Sequence, residues 1–154
     1  MILDLDMSGP ALVPNCIDNP KEVPRKRILL ADDNAEVMTC EEEMLSADYE
    51  IVAKISDGNT TCAEVARLVP DIVVLDISMG EFNGINIAHQ LQQQGFGGSI
   101  VFLTIHEDLE FVTAAMGAGG HGYVVKSRMS PDLQLAVKAV LSGRLFISPL
   151  LQQS

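Results

Sequence analysis

The chain alternates between short runs without a polar residue and longer stretches in which apolar residues recur every three or four positions. The runs are Ile28-Leu29-Leu30-Ala31, Ile72-Val73-Val74-Leu75, Ile100-Val101-Phe102-Leu103 and Tyr123-Val124-Val125. Such Val/Ile/Leu-rich runs, separated by helical patterns, read as strands buried on both faces of a parallel sheet. A further strand is expected over 49–55. The first helix is expected after Asn34, with Val37, Cys40 and Met44 on its inner stripe and Glu41, Glu42 and Glu43 facing out. In the second, Cys62, Val65, Ala66 and Val69 share a stripe. There Thr61-Cys62-Ala63-Glu64 has the form of a capping box, and Pro70 stops the helix. The third carries Ile87, Ala88 and Leu91 before Gly95, and the fourth Val112, Ala115 and Met116 before Gly117. The fifth opens with Ser130 as N-cap and Pro131 in the first turn. It carries Leu133, Ala136, Val137 and Val140 before Gly143. Five βα units of this length predict an α/β fold, a three-layer doubly wound sheet with right-handed crossovers.

The residues that end the strands change the picture from fold to chemistry. In an open parallel sheet, ligands sit outside the carboxyl ends of the strands. Here those ends are Asp32-Asp33, Asp76, Thr104 and Lys126. Three carboxylates gathered at one edge repel each other and call for a cation. A hard, oxygen-coordinated Mg²⁺ is the natural candidate. A Lys and a Thr beside it suit a phosphoryl group, offering an ammonium and a hydroxyl donor.

Length and charge set the bounds. A chain of 154 residues, 47% hydrophobic, reads as one domain with ample core. A net charge of −11 argues against a nucleic-acid surface in this chain. Cys16, Cys40 and Cys62 have no Cys-x-x-Cys spacing and are expected as reduced thiols of a cytoplasmic protein. Cys40 and Cys62 fall on helix stripes as small hydrophobes. No run approaches the roughly 18 apolar residues of a membrane span. No basic region precedes an apolar core at the N-terminus, so no signal peptide is read. Residues 1–26 hold Pro10, Pro14, Pro20 and Pro24 and no periodic pattern. They are expected to be a flexible arm, unless Ile2-Leu3-Asp4-Leu5 or Ala11-Leu12-Val13 docks on the domain. The domain is expected over 27–150, with 151–154 as a tail.

The strand-end residues also carry a family resemblance. Asp76 follows Asp33 by 43 positions, Thr104 follows Asp76 by 28, and Lys126 follows Thr104 by 22. In residue type and spacing, 27–150 resembles a response-regulator receiver domain of bacterial two-component signalling. Leu103-Thr104-Ile105-His106, Gly122-Tyr123-Val124-Val125-Lys126-Ser127 and Gly143-Arg144-Leu145-Phe146-Ile147-Ser148-Pro149 look most like the NarL/FixJ-type subfamily. The resemblance implies a five-stranded flavodoxin-like sheet in the order 2-1-3-4-5. It implies phosphorylation of Asp76 by a histidine kinase or phosphotransfer protein. Mg²⁺ would be held directly by Asp33, mostly through water by Asp32, and also by Asp76 and the backbone carbonyl of Ser78. The Ser78 side chain would border the path of an attacking water. Lys126 would pair with Asp76 and then neutralise phosphate charge, and Thr104 would donate its hydroxyl to the phosphate. The Tyr123 ring would swing inward as Thr104 moves.

Two departures from the family pattern stand out. Gly80 takes the place of the usual Pro after Met79, which suggests a looser loop. Ile105 stands where many receivers have Ala and would narrow access to the site. His106 is expected to be a solvent-facing loop residue. His89 and His121 stand singly, without a phosphotransfer-module context. Members of the subfamily usually continue into a DNA-binding helix-turn-helix, and no such pattern is read after Gly143. The expected partners are a histidine kinase or phosphotransfer protein, with a homodimer as an option and no direct nucleic-acid or membrane contact. Three alternatives stay open. One is a receiver fragment of a DNA-binding transcription regulator. Another is a Mg²⁺-dependent phosphohydrolase of haloacid-dehalogenase type, although Asp33-Asn34-Ala35 and Asp76-Ile77-Ser78 lack its Asp-x-Asp. The last is a degenerate interaction module, which five intact positions oppose.

Overall fold

A computed structural model of the chain describes residues 24–149. The expected arm falls mostly, and the tail wholly, outside the described residues. Strands and helices alternate in the order β1 (Arg27–Ala31), α1 (Ala35–Leu45), β2 (Glu50–Ile55), α2 (Gly58–Leu68) and β3 (Ile72–Leu75). A two-stranded hairpin follows, β4 (Ser78–Met79) and β5 (Phe82–Asn83), and leads into α3 (Gly84–Gln93). Then come β6 (Ser99–Thr104), α4 (Leu109–Gly117), β7 (Gly122–Val125), α5 (Met129–Leu141) and β8 (Phe146–Ile147).

Among the described residues the parallel sheet has six strands, ordered β2-β1-β3-β6-β7-β8. The first five reproduce the 2-1-3-4-5 arrangement. β8 is an addition to the five strands expected. It runs parallel to β7, with Phe146 N–H donating to His121 O at 3.0 Å and Ser148 N–H to Tyr123 O at 2.9 Å. Two residues are too few to show a strand's alternation, so this strand exists through its neighbour.

The apolar runs explain the layers. Side chains alternate across a strand, so Leu29, Val73, Phe102 and Tyr123 face α2, α3 and α4, packed on Val65, Leu91 and Ala115. Ile28, Leu30, Val74, Val101 and Val124 face α1 and α5, against Met38, Leu45, Leu133 and Val137. Each such Val, Leu or Ile contributes roughly 1.5–3 kcal/mol by leaving water. The stripes expected for α3, α4 and α5 are the ones buried or, for Met116, packed against the core.

Four expectations about the helices need correction. In α1 the fully buried residues are Met38, Glu41 and Leu45; of the expected stripe Val37 and Met44 pack half-buried against the core, and Cys40 is exposed. Two stripes one position apart compete on this helix, and packing against β1 and α5 selects the other one. In α2 the N-cap is Asp57, whose side chain accepts from Asn59 N–H at 2.9 Å. Thr61 therefore lies inside the helix, its hydroxyl donating to Asp57 O at 3.1 Å, and it forms no capping box with Glu64. Ala66 is exposed, and Val69 is 65% exposed in a left-handed C-cap conformation with φ +48. α5 begins at Met129 after a 3₁₀ turn, Lys126–Arg128, so Ser130 is not its N-cap.

Candidate functional site

The ladder of the sheet delivers the carboxylates. Asp32 N–H donates to Ile55 O and Asp76 N–H to Ala31 O, both at 3.0 Å, so each residue continues its strand by one hydrogen bond. Past that point the chain turns. Asp32 Oδ1 accepts from Asn34 N–H at 2.8 Å. Asn34 Oδ1 in turn caps α1 by accepting from Glu36 and Val37 N–H at 3.0 and 3.1 Å. Asp76 Oδ1 accepts from Ser78 N–H at 3.3 Å. Behind it, Gly84 opens α3 with its N–H on Ile77 O at 2.6 Å. A Cβ at Gly84 would overlap the carbonyl of Asp76, so only glycine lets α3 approach this closely.

Lys126 Nζ spans the two buried carboxylates, 2.9 Å from Asp32 Oδ2 and 3.3 Å from Asp76 Oδ2. Asp33 is exposed, and its Oδ2 accepts from Gly80 N–H at 3.0 Å. The loop expected to be loose is thus tied down. A proline at position 80 would have no such donor. Carboxylate oxygens of Asp32, Asp33 and Asp76 lie within 4.8 Å of one another. Three hard oxygen donors at this spacing fit Mg²⁺, which prefers one or two carboxylates with water and phosphate oxygens completing its shell.

Electrostatics follow burial. Asp76 is pushed up to about 6, first by burial and then by Asp32, with Lys126 and the Ser78 N–H opposing. Burial works against the Lys126 charge, but Asp32 and Asp76 outweigh it and hold the ammonium above its ordinary value. Glu41 is also involved. It is 1% exposed on the inner face of α1, and burial pushes its carboxyl up to about 8, with Asp32 adding to the shift and Lys126 opposing it. The apolar pattern of the helix predicts an outward-facing Glu41. The spacing Met38-x-x-Glu41-x-x-x-Leu45 was the available signal.

Thr104 and Tyr123 join the pocket through a residue that the sequence reading set aside. Thr104 Oγ accepts from His106 N–H at 3.3 Å, and Tyr123 OH donates to His106 O at 2.8 Å. The His106 ring stacks on Phe111 with centroids 4.0 Å apart, and its Nε2 lies 2.8 Å from Ser78 Oγ. His106 is therefore a half-buried hub and not a solvent-facing residue. It links Thr104 and Tyr123 through Ser78 to Asp76. Tyr123 is fully buried beside Phe102, at a centroid distance of 6.4 Å, so its ring already occupies the inward position. Ile105 is 67% exposed. Ser78 lies beside Asp76, its N–H on Asp76 Oδ1. His121 Nδ1 accepts from Ile100 N–H at 3.2 Å, a strand-edge role.

The response regulator receiver domain family matches residues 28–138. The chain is 31% identical over 105 residues to the transcriptional regulatory protein DegU of Brevibacillus brevis, covering 68% of this chain and 44% of that protein. It is 29% identical over 123 residues to the nitrate/nitrite response regulator protein NarL of Escherichia coli K12, covering 79% of this chain and 57% of that protein. The chain thus spans about half the length of the curated relatives it matches. Among solved structures, a LuxR-family two-component response regulator from Aurantimonas sp. SI85-9A1 superposes with a TM-score of 0.80 at 30% identity. That match covers 84% of this chain and 94% of the other. With a doubly wound sheet, an acidic edge and this match, the chain belongs to the response regulator receiver domain family, signalling modules rather than catalysts.

Proposed function

We propose that this domain is a phosphoacceptor switch in which Asp76 takes a phosphoryl group from a histidine kinase or phosphotransfer protein, with Mg²⁺ as cofactor. The observation that supports it most is Lys126 Nζ lying between Asp32 and Asp76 at the edge of a three-carboxylate cluster. An Asp76 carboxylate oxygen attacks phosphorus in line as the bond from phosphorus to the donor breaks, leaving an acyl phosphate on Asp76. Mg²⁺, when bound, would neutralise charge developing on the phosphoryl oxygens. Asp33 and Asp76 would hold it, with the Ser78 carbonyl, and Asp32 would act mostly through water. Lys126 then moves its charge from Asp76 to the phosphoryl group, keeping a partner in Asp32. Thr104 supplies a hydroxyl donor, and Tyr123 reports its position to the surface through His106.

Incubation with acetyl phosphate and Mg²⁺, followed by intact-protein mass measurement, tests this reading. One labile phosphoryl adduct is expected, absent without Mg²⁺ and absent in Asp76→Asn. An adduct of undiminished yield in Asp76→Asn removes Asp76 as acceptor. Steady turnover of the donor without a retained adduct would favour the phosphohydrolase alternative. A second reading has support from the relatives. The match covers 44% and 57% of the two regulators, so both extend well beyond it, and one is named as a transcriptional regulatory protein. On that reading this chain is the receiver part of a DNA-binding regulator. Sequencing the locus past Ser154 tests it: a frame running into a helix-turn-helix supports it, and an immediate stop opposes it.

A further inference from the structure

The turn that carries Lys126 is gripped by residues outside the acidic pocket. Lys126 opens the single 3₁₀ turn Lys126–Arg128 between β7 and α5. Just ahead of it, Val125 N–H donates to Ser148 Oγ at 3.2 Å. At its far end, Arg128 Nε and Nη2 donate to Asp132 Oδ2 and Oδ1 at 3.0 and 3.4 Å. Ser148 Oγ donates to Asp132 Oδ2 at 2.8 Å, which makes the two grips one network. Asp132 and Ser148 are 1% and 0% exposed. A carboxylate this buried is costly unless it is fully paired. Here Arg128 meets both of its oxygens and Ser148 meets one. A satisfied buried network of this kind rigidifies what it holds. Ser148 is itself anchored through its N–H on Tyr123 O. It follows the edge strand β8 and lies beyond the family match, which ends at residue 138.

We propose that Ser148 and Asp132 are positioning residues for Lys126, so that docking of the β8 segment and competence for phosphorylation are coupled. The segment after α5 reaches back and fixes the turn from which the ammonium is aimed at Asp32 and Asp76. Coupling of this kind is reciprocal. Whatever displaces β8 slackens Lys126, and drawing Lys126 onto a phosphoryl group alters the hold on 146–148. The proposal rests on the role given to Lys126 above.

Initial phosphorylation rates with acetyl phosphate at saturating Mg²⁺, read by intact mass, test it in Ser148→Ala, Arg128→Met, Lys126→Met and the doubles with Lys126→Met. Ser148→Ala and Arg128→Met should each slow the reaction about tenfold while moving the Mg²⁺ half-saturation by less than about twofold. With Lys126→Met already present, neither should slow it further. An unchanged rate, or the same slowing with and without Lys126, would reduce the network to a purely structural part and overturn the proposal. Should Ser148→Ala or Arg128→Met fail to fold, Arg128→Lys answers in their place, because it breaks the two-point grip while leaving a cation beside buried Asp132. A Lys126→Met variant at full rate would remove the reading of Lys126 and this proposal together. A slow Lys126→Met beside a silent Ser148→Ala would sink only the coupling.

Discussion

Glu41 occupies the inner face of α1 between Met38 and Leu45, where an apolar side chain would cost nothing to bury. Burial lifts its carboxyl from 4.5 to about 8. The folded value lies above the unfolded one, so the folded protein holds a proton that the unfolded chain releases. The associated stability is complete below the unfolded value and is lost as pH rises through the folded value. Each pKa unit is worth about 1.4 kcal/mol, so the loss is on the order of 5 kcal/mol. Glu41→Gln removes this titration. Measured by urea denaturation without Mg²⁺, its stability advantage should grow from about pH 5 to about pH 8 and then level off. A constant difference across that range would show that Glu41 does not titrate there. The two aspartates of the pair should also separate. Asp32 is already matched by Lys126 at 2.9 Å, whereas exposed Asp33 accepts from the backbone N–H of Gly80. In calorimetric titration, Asp33→Asn should weaken Mg²⁺ binding more than Asp32→Asn does, and the reverse order would exchange their roles.

At the scale of elements, the hairpin β4–β5 shows how a departure from the family pattern is absorbed. Gly80 sits at φ +59, which a proline ring cannot adopt, and its N–H holds Asp33. Gly80→Pro should therefore destabilise the domain by roughly 3 kcal/mol rather than restore a better loop. A melting temperature equal to the parent's would refute that. The helices show the limits of periodicity in the same way. α3, α4 and α5 each carry one clear apolar stripe, and those stripes were legible. α1 has apolar residues on two adjacent stripes, so its phase depends on what it packs against. The start of α2 was misread because Asp57 caps it four residues before Thr61, and both are good capping types.

Over the whole molecule, the acidic pocket and the α4–β7–α5 face are joined through Ser78, His106, Thr104 and Tyr123. With the Tyr123 ring already inside, a phosphoryl mimic should favour this arrangement by binding it better. Beryllofluoride with Mg²⁺ should increase hydrogen-exchange protection over 107–117 and on α5. Protection confined to Asp32, Asp33 and Asp76 would break the proposed coupling. The overall charge makes a separate prediction. A net charge of −11 makes the electrostatic term behind non-specific DNA binding unfavourable. No salt-sensitive shift with duplex DNA is expected at micromolar protein and physiological salt, and such a shift would contradict this. Among the described residues, no helix is long and apolar enough to cross a membrane.

By itself the sequence determined the class of fold, the order in which strands and helices alternate, and the chemistry at the strand ends. Those signals are local: a fully buried strand must be apolar throughout, and a polar residue directly after it must lie at the sheet edge. The strand order came with the family resemblance and not from the alternation. The tertiary structure decided the phase of α1 and with it the burial of Glu41. It also decided the pairing of β8, the contact of Gly80 with Asp33, and the joining of Thr104, Tyr123 and Ser78 through His106. Each of these depends on groups far apart in the chain meeting across the sheet edge, such as Gly80 with Asp33 and Ser148 with Val125. Periodicity records which face of an element is apolar, but not which partner lies opposite a polar group. That choice belongs to packing, because a buried polar atom is tolerated only where a distant partner satisfies it.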